Sequence, residues 1–224
     1  MVLPAALSER REGQPLDIDG NLSEWNDADA LQNGPMVKMF DRPMIQNQEL
    51  ALAATTSRVF STWSPRNFFL AFRVEGVGGD ILRSTTNYPV YQSRRVWGED
   101  LCEALIQPVY PDNTLGPVTH LVFKPHGQLF VESKLDRHVS AVPWQTVQGA
   151  DIRYAAAPVV NGVWKGELAI PWSLLNDAKH QDVRPTLLRF NFAQHKTSTG
   201  ESSSWAGPVD FGRDEAFMGL LELR

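Results

Sequence analysis

Residues 58–74, RVFSTWSPRNFFLAFRV, decide the fold class of this chain. The two halves of the stretch are rich in the β-branched and aromatic residues that are typical of strands. Between them, Ser64-Pro65-Arg66-Asn67 has the composition of a turn, because proline presets φ at the second turn position and asparagine tolerates unusual backbone conformations. The stretch therefore predicts an antiparallel hairpin.

Strand-like segments and turn residues alternate along the rest of the chain in the same way. Further strands are predicted at 101–106, 119–123, 128–133, 151–157, 163–170, 187–193 and 218–223. Asn161-Gly162 indicates a tight two-residue hairpin turn, since both positions of such a turn require positive φ. A helical pattern is confined to 171–175, with a proline at its first position. We therefore expect an all-β fold, an antiparallel β-sandwich with jelly-roll or immunoglobulin-like layering and at most one or two short helical turns, as one domain over 1–224.

The composition narrows the classes of partner. The 224 residues are 42% hydrophobic and 21% charged, with a formal net charge of −5. A mildly acidic chain disfavours nucleic acid and anionic membrane surfaces, which need clustered lysine and arginine. No apolar run approaches the roughly 20 residues of a membrane helix, so we expect no membrane insertion. The single Cys102 excludes an intrachain disulfide and is predicted to be a buried small hydrophobe.

The sequence does not contain the motifs of common catalytic centres. A phosphate-binding glycine loop, a His-Glu-x-x-His pair and a Gly-x-Ser-x-Gly elbow are all missing. The five histidines, His120, His126, His138, His180 and His195, are scattered and are expected on the surface or in loops, so no metal site is predicted. A glycosidase, which needs two carboxylates about 5–9.5 Å apart, is the least favoured reading.

A tryptophan and a carboxylate lie close together in the segment before and within the predicted strand at 101–106. Trp97 is followed by Gly98-Glu99-Asp100, and strand alternation places Glu103 with Leu101 and Leu105, opposite Cys102. A pyranose ring has an apolar face that suits a flat aromatic ring and a rim of hydroxyls that suits a carboxylate acceptor. This segment therefore indicates non-catalytic sugar binding, with Trp97 as the stacking platform and Glu103 as the hydroxyl acceptor.

Several segments, in order, resemble the family 9 carbohydrate-binding modules of extracellular polysaccharide-degrading proteins. They cover about residues 16–224 and comprise IDGNLSEW at 18–25, WSPRNFFLAF at 63–72, WGEDLCE at 97–103, WKGELAIPW at 164–172 and FMGLLEL at 217–223. Within them, Trp25, Trp164 and Trp172 are expected in the core. Glu167 is expected to bind a backbone group or an arginine inside the sandwich.

The resemblance also assigns ligand-binding positions. It places sugar contacts at Trp97 and Glu103. The family's second tryptophan platform is missing, and Phe211 is the candidate to replace it. Ala193 stands where the family has a sugar-contacting side chain, so Asn191 and Gln194 are the candidates to compensate. The family often carries structural calcium, but acids such as Asp17 and Asp80 have no calcium-loop spacing, and no metal or other cofactor is predicted.

Two other functions remain open at this point. Met36, Met39 and Met44 lie close together and, with His120 or His126, suggest a haem-binding electron-transfer sandwich. A sandwich without a ligand could instead serve as a protein-interaction domain. The resemblance implies an extracellular or periplasmic location. The start, MVLPAAL, lacks the basic region of an intact signal peptide. A signal peptide is therefore expected to have been removed.

Overall fold

The computed structural model describes residues 4–12, 16–39, 51–76, 100–125, 127–134, 145–147, 151–196, 199–207 and 218–224. Its strands are β1 (Ala5–Ser8), β2 (Ala30–Lys38), β3 (Leu52–Trp63), β4 (Asn67–Glu75), β5 (Leu101–Val109), β6 (Val118–Phe123), β7 (Leu129–Lys134), β8 (Gln145–Thr146), β9 (Arg153–Ala156), β10 (Val163–Pro171), β11 (Leu187–Lys196), β12 (Glu201–Ser204) and β13 (Gly219–Leu223). One α-helical turn, α1 (Trp172–Leu175), follows Pro171, and short 3-10 turns lie at Leu22–Glu24, Asp27–Asp29 and Ala178–His180. The all-β prediction is confirmed.

The strands form a two-layered sandwich. Hydrogen-bonded neighbours run in the order β8-β7-β6-β5-β11-β12-β2-β3-β4-β10-β9, while β13 pairs with β11 and with β1. The β12–β2 contact joins the layers and consists of only two residue pairs, Ser203 with Lys38 and Ser204 with Val37. Layer one is β8-β7-β6-β5-β11, and layer two is β2-β3-β4-β10-β9. Among the described strand pairs only β1–β13 is parallel, and one isolated parallel bridge joins Arg10 to Trp63.

The 58–74 hairpin is present as β3 and β4, and it supplies the centre of layer two. Its turn is closed by a bond from the Ser64 N–H to the Asn67 carbonyl at 2.8 Å. Phe72 points into the core, where its ring lies 5.1 Å from Phe123 of β6 and 5.7 Å from Phe192 of β11, between centroids. Aromatic contacts between the two layers therefore hold the sandwich together.

The second predicted hairpin turn is also confirmed. Asn161 and Gly162 have φ of 52° and 73°, and Val160 and Val163 exchange both backbone hydrogen bonds across them. At β5 the prediction was too short, because the strand continues through Pro108 to Val109. β6 pairs with β5 only as far as Ile106, so the missing N–H of Pro108 costs no bond to that neighbour.

Glu167 anchors the N-terminal segment to layer two, as expected for a carboxylate that binds backbone groups. It accepts hydrogen bonds from the indole of Trp25 and the N–H of Gly20, both at 2.7 Å, and from the N–H of Asp19 at 3.2 Å. Gly20 has φ of 86°, and a Cβ there would lie 2.6 Å from the backbone nitrogen of Ala157. The IDG-x4-W pattern is therefore a structural feature, and Trp25, Trp164 and Trp172 are all buried as predicted.

Candidate functional site

The two sides of β5 have different surroundings, as strand alternation predicts. Cys102, Ala104 and Ile106 belong to the main core between the layers. Leu101 and Leu105 project to the opposite side, called here the outer face of layer one, where they join separate small apolar clusters. All six of residues 101–106 are buried, so the outer face is covered at β5 and the Glu103 carboxylate is not exposed to solvent.

Five side chains form a continuous polar chain across this outer face, one from each of five neighbouring strands. In order they are Glu132 (β7), His120 (β6), Glu103 (β5), His195 (β11) and Ser202 (β12). His120 Nδ1 lies 2.9 Å from Glu132 Oε1, and His120 Nε2 lies 2.5 Å from Glu103 Oε2. His195 Nε2 lies 2.5 Å from Glu103 Oε1, and His195 Nδ1 lies 2.7 Å from the Ser202 hydroxyl.

Sheet register explains why these side chains meet. Glu132 stands directly opposite His120, and Ser202 stands directly opposite His195. The partners of Glu103 in the ladders are Val122 and Ala193, so each histidine lies two residues from the directly paired position. Side chains at such diagonal positions are within reach of each other on one face of a sheet. Glu103 is thus placed between two imidazoles by backbone pairing alone.

Burial and ion pairing together set the charges of the side chains in the polar chain. Burial by itself raises the pKa of the Glu103 carboxyl, but attraction and hydrogen bonds from His195 and His120 hold that pKa below its usual value. Burial by itself lowers the pKa of His120, but its bonds to Glu103 and Glu132 raise that pKa to about 9. An ionised carboxylate only accepts hydrogen bonds, so both ring nitrogens of His120 act as donors. The outer face therefore carries an ionised Glu103 in a fixed orientation.

The other predicted site residues are not all on this face. Trp97 and Phe211 lie outside the described residues. Asn191 lies on the outer face of β11 by alternation, and its Oδ1 accepts from the N–H groups of Phe192 and Ala206, both at 2.9 Å. Gln194 points to the opposite side, where it bonds the hydroxyls of Ser57 and Ser203 at 2.9 and 3.1 Å. Glu103 and Gln194 are therefore on different faces of layer one.

Sequence reasoning missed most of the polar chain. His120 was expected on the surface or in a loop, as was His180, but both are buried and bonded to carboxylates. Glu132 and Ser202 were not singled out at all. The available signal was the position of His120 within an otherwise apolar strand, which requires a partner for a buried imidazole. Which carboxylate supplies it depends on strand order.

The described methionine and histidine residues suggested as haem ligands do not face a common pocket. Met36 lies in β2 with its side chain in the main core, and Met39 packs beside Leu105. Met44 and His126 lie outside the described residues. Both ring nitrogens of His120 already face carboxylates. Within the described part of the chain, no group of three or more His, Cys, Asp or Glu residues is arranged to hold a metal ion.

Solved structures share this fold. A Bacteroides uniformis protein proposed to bind carbohydrate is similar with a TM-score of 0.64 at 12% identity, over 100% of both chains. A family 9 carbohydrate-binding module from Caldicellulosiruptor kristjanssonii is similar with a TM-score of 0.51 at 12% identity. The match to its cellotriose complex covers 98% of this chain and 93% of the module, and the match to its glucose complex covers 98% of this chain and 95% of the module. The chain has the fold of these modules.

Comparisons at the sequence level add nothing to this. No protein-family model matches the chain, and no curated protein matches it. In the described ranges, no helix is long and apolar enough to span a membrane.

Proposed function

We propose that this chain is a non-catalytic carbohydrate-binding domain whose site includes Trp97 and Glu103. The observation that carries the proposal is the ionised Glu103 on the outer face of β5, six residues after a tryptophan. A histidine on either side holds each of its carboxylate oxygens in place. The proposal is supported by the fold shared with modules that bind glucose and cellotriose. In this reading Trp97 stacks against the apolar face of a sugar ring and Glu103 accepts its hydroxyls.

The two histidines act as positioning residues for Glu103. Each occupies one acceptor position on a different carboxylate oxygen, which leaves a second lone pair on each oxygen for a sugar hydroxyl. Asn191 and Phe211 complete the proposed set. Gln194 faces the sandwich interior and is retained only as a supporting residue. Because Glu103 has no exposed surface without ligand, binding requires a rearrangement at this face, which predicts association slower than about 10⁵–10⁷ M⁻¹s⁻¹.

Isothermal titration with glucose and cellotriose tests the proposal. Trp97→Ala and Glu103→Gln should each weaken binding at least tenfold, and Phe211→Ala should weaken it less, since a phenyl ring offers a smaller platform. Glu222→Gln is the matched control, because it removes a carboxylate charge that is partly exposed and lies outside the polar chain. Absence of heat with both sugars, or wild-type affinity in Trp97→Ala and Glu103→Gln, would overturn the proposal.

The same proposal includes the absence of catalysis and an extracellular or periplasmic location. Glu103 and Glu132, the two carboxylates of the polar chain, both bind His120 and are not arranged around an open cleft. We expect no release of nitrophenol from aryl glycosides incubated with the purified chain. Measurable turnover that is lost in Glu103→Gln would contradict the non-catalytic assignment.

A further inference from the structure

A cavity lies where the ends of β2, β3, β11 and β12 meet. Its volume is about 350 Å³, within the range of about 300–1,000 Å³ that small-molecule sites occupy. Among the described residues, its walls carry two lysines, one glutamate and three hydroxyl side chains, together with one methionine. These residues are Lys38, Lys196, Glu201, Thr55, Thr199, Ser202 and Met39.

The charges of this cavity are unequal. Glu201 Oε1 lies 2.9 Å from Lys196 Nζ, and Glu201 Oε2 lies 3.4 Å from Lys38 Nζ. Oε2 also accepts from the N–H of Ala54 at 3.0 Å. Burial raises the pKa of Glu201, but the lysines and the Ala54 N–H hold it below its usual value, so the carboxylate stays ionised. Among the described residues of the cavity walls, one carboxylate therefore faces two ammonium groups, which leaves one positive charge in excess.

Lys196 is the residue that makes this excess informative. Its side chain is only 2% exposed, and lysine is almost never buried unless it is paired. Its ammonium group donates a hydrogen bond to Thr55 Oγ1 and forms an ion pair with Glu201 Oε1, and an ammonium has three donors. Lys38 is 40% exposed beside the same carboxylate. Donors of both lysines can therefore reach an anion that enters the cavity.

We propose that this cavity binds a sugar that carries a carboxylate, such as a hexuronate. The carboxylate would lie beside Lys38 and Lys196, where it would balance the one positive charge that Glu201 leaves uncompensated. The hydroxyls of Thr199 and Ser202 suit the rim of the ring, and Met39 offers an apolar surface to its C–H face. None of these residues is proposed to contact sugar in the Trp97–Glu103 site, so binding at the two sites can be tested separately.

The two sites are nevertheless physically connected. Ser202 lines the cavity, and its hydroxyl bonds His195 Nδ1, whose other nitrogen bonds Glu103. An occupant that draws the Ser202 hydroxyl away from His195 would alter one of the two groups that orient Glu103. Occupation of the cavity should therefore change the affinity of the Trp97–Glu103 site for neutral sugar, and the reverse effect must be equal.

Isothermal titration of the full chain with D-glucuronate, D-glucose and acetate, separately and in competition, tests the proposal. Glucuronate should bind with an affinity that falls as salt is added. Lys38→Met should weaken it at least tenfold, while Lys179→Met, which removes an exposed lysine elsewhere, should not. Because Lys196→Met leaves Glu201 without its closest partner, Lys196→Met/Glu201→Gln is the variant to use, and it should also weaken binding at least tenfold.

Three outcomes would overturn the inference, and a fourth would reject only the Trp97–Glu103 site. Wild-type glucuronate affinity in both Lys38→Met and Lys196→Met/Glu201→Gln would show that the cavity is not the site. Acetate that binds as tightly as glucuronate would show that a free carboxylate is recognised rather than a sugar. Simple displacement of glucuronate by glucose would show one shared site instead of two. Failure of glucose binding alone, with glucuronate binding intact, would reject only the Trp97–Glu103 site.

Discussion

Replacement of His120 by glutamine should remove the dependence of folding stability on alkaline pH. Glutamine can still hydrogen bond near Glu103 and Glu132, but it cannot carry the positive charge that both carboxylates favour. The pKa of His120 is raised from 6.5 to about 9 by these neighbours. A difference of that size corresponds to about 3 kcal/mol of unfolding free energy.

The direction follows from the raised pKa. A histidine whose pKa is higher in the folded state contributes its full stabilisation below about pH 6.5 and loses it as the pH rises through about 9. The titratable partners around it are Glu132, Glu103 and, through Glu103, His195. Glu103 has a lowered pKa, so its own contribution is lost only toward acid, below its usual value of 4.5.

Cys102, Tyr154 and Tyr110 titrate above this window. Burial raises the pKa of Cys102 well above 9.0 and that of Tyr154 well above 10.0, and it raises the pKa of Tyr110 to about 12. These groups keep their protons throughout the range in which His120 loses its own. A change in stability between neutral and mildly alkaline pH can therefore be assigned to the polar chain.

Urea unfolding followed by tryptophan fluorescence at about pH 6 and about pH 9.5 measures the effect. The wild type should lose about 3 kcal/mol between the two, and His120→Gln should lose less than about 1 kcal/mol. His180→Gln is the matched control, since His180 is also buried and paired with a carboxylate but does not belong to the polar chain. Equal losses in wild type and His120→Gln would refute the charge assignment.

Three further substitutions or modifications test the packing. Glu167→Ala should destabilise by about 2–4 kcal/mol, measured by urea unfolding, because Trp25 and two backbone N–H groups lose a buried acceptor; an unchanged midpoint would contradict the anchoring role. Gly166→Ala should cost about 1–3 kcal/mol, since a Cβ would lie 2.5 Å from the Phe72 ring, and adding Phe72→Leu should recover part of that loss. Cys102 should not react with a thiol reagent until the chain unfolds, because it is fully buried with a raised pKa; rapid labelling of the native chain would show that the strand opens.

The fold was predictable because its signals are local. The 58–74 hairpin and the Asn161-Gly162 turn are encoded by neighbouring residues, and both are present. β2 was missed because Gly34 and Pro35 lie inside it and read as a loop. The strand accommodates them through two shifts in its pairing with β3, at residues 30–32 and 35–37.

The candidate site was less predictable because it depends on strand order. Alternation alone placed Glu103 on the face opposite Cys102, and this is confirmed. Its partners His120 and His195 are 17 and 92 residues away, on the two strands that flank β5. Local patterns do not say which strands become neighbours, so the histidines could not be distinguished from surface residues.

The cost of the polar chain supports the proposed role of Glu103 in recognition. Buried ion pairs seldom stabilise more than apolar residues of similar size would, since desolvation offsets much of their attraction. Leu101 and Leu105 on this face are apolar, so apolar side chains in place of Glu103 and its two histidines would suit the surroundings. Instead, the sandwich holds an ionised carboxylate between two imidazoles on the face away from its core. Such an arrangement keeps a strong acceptor charged and oriented, which a hydroxyl-bearing ligand needs and the fold itself does not.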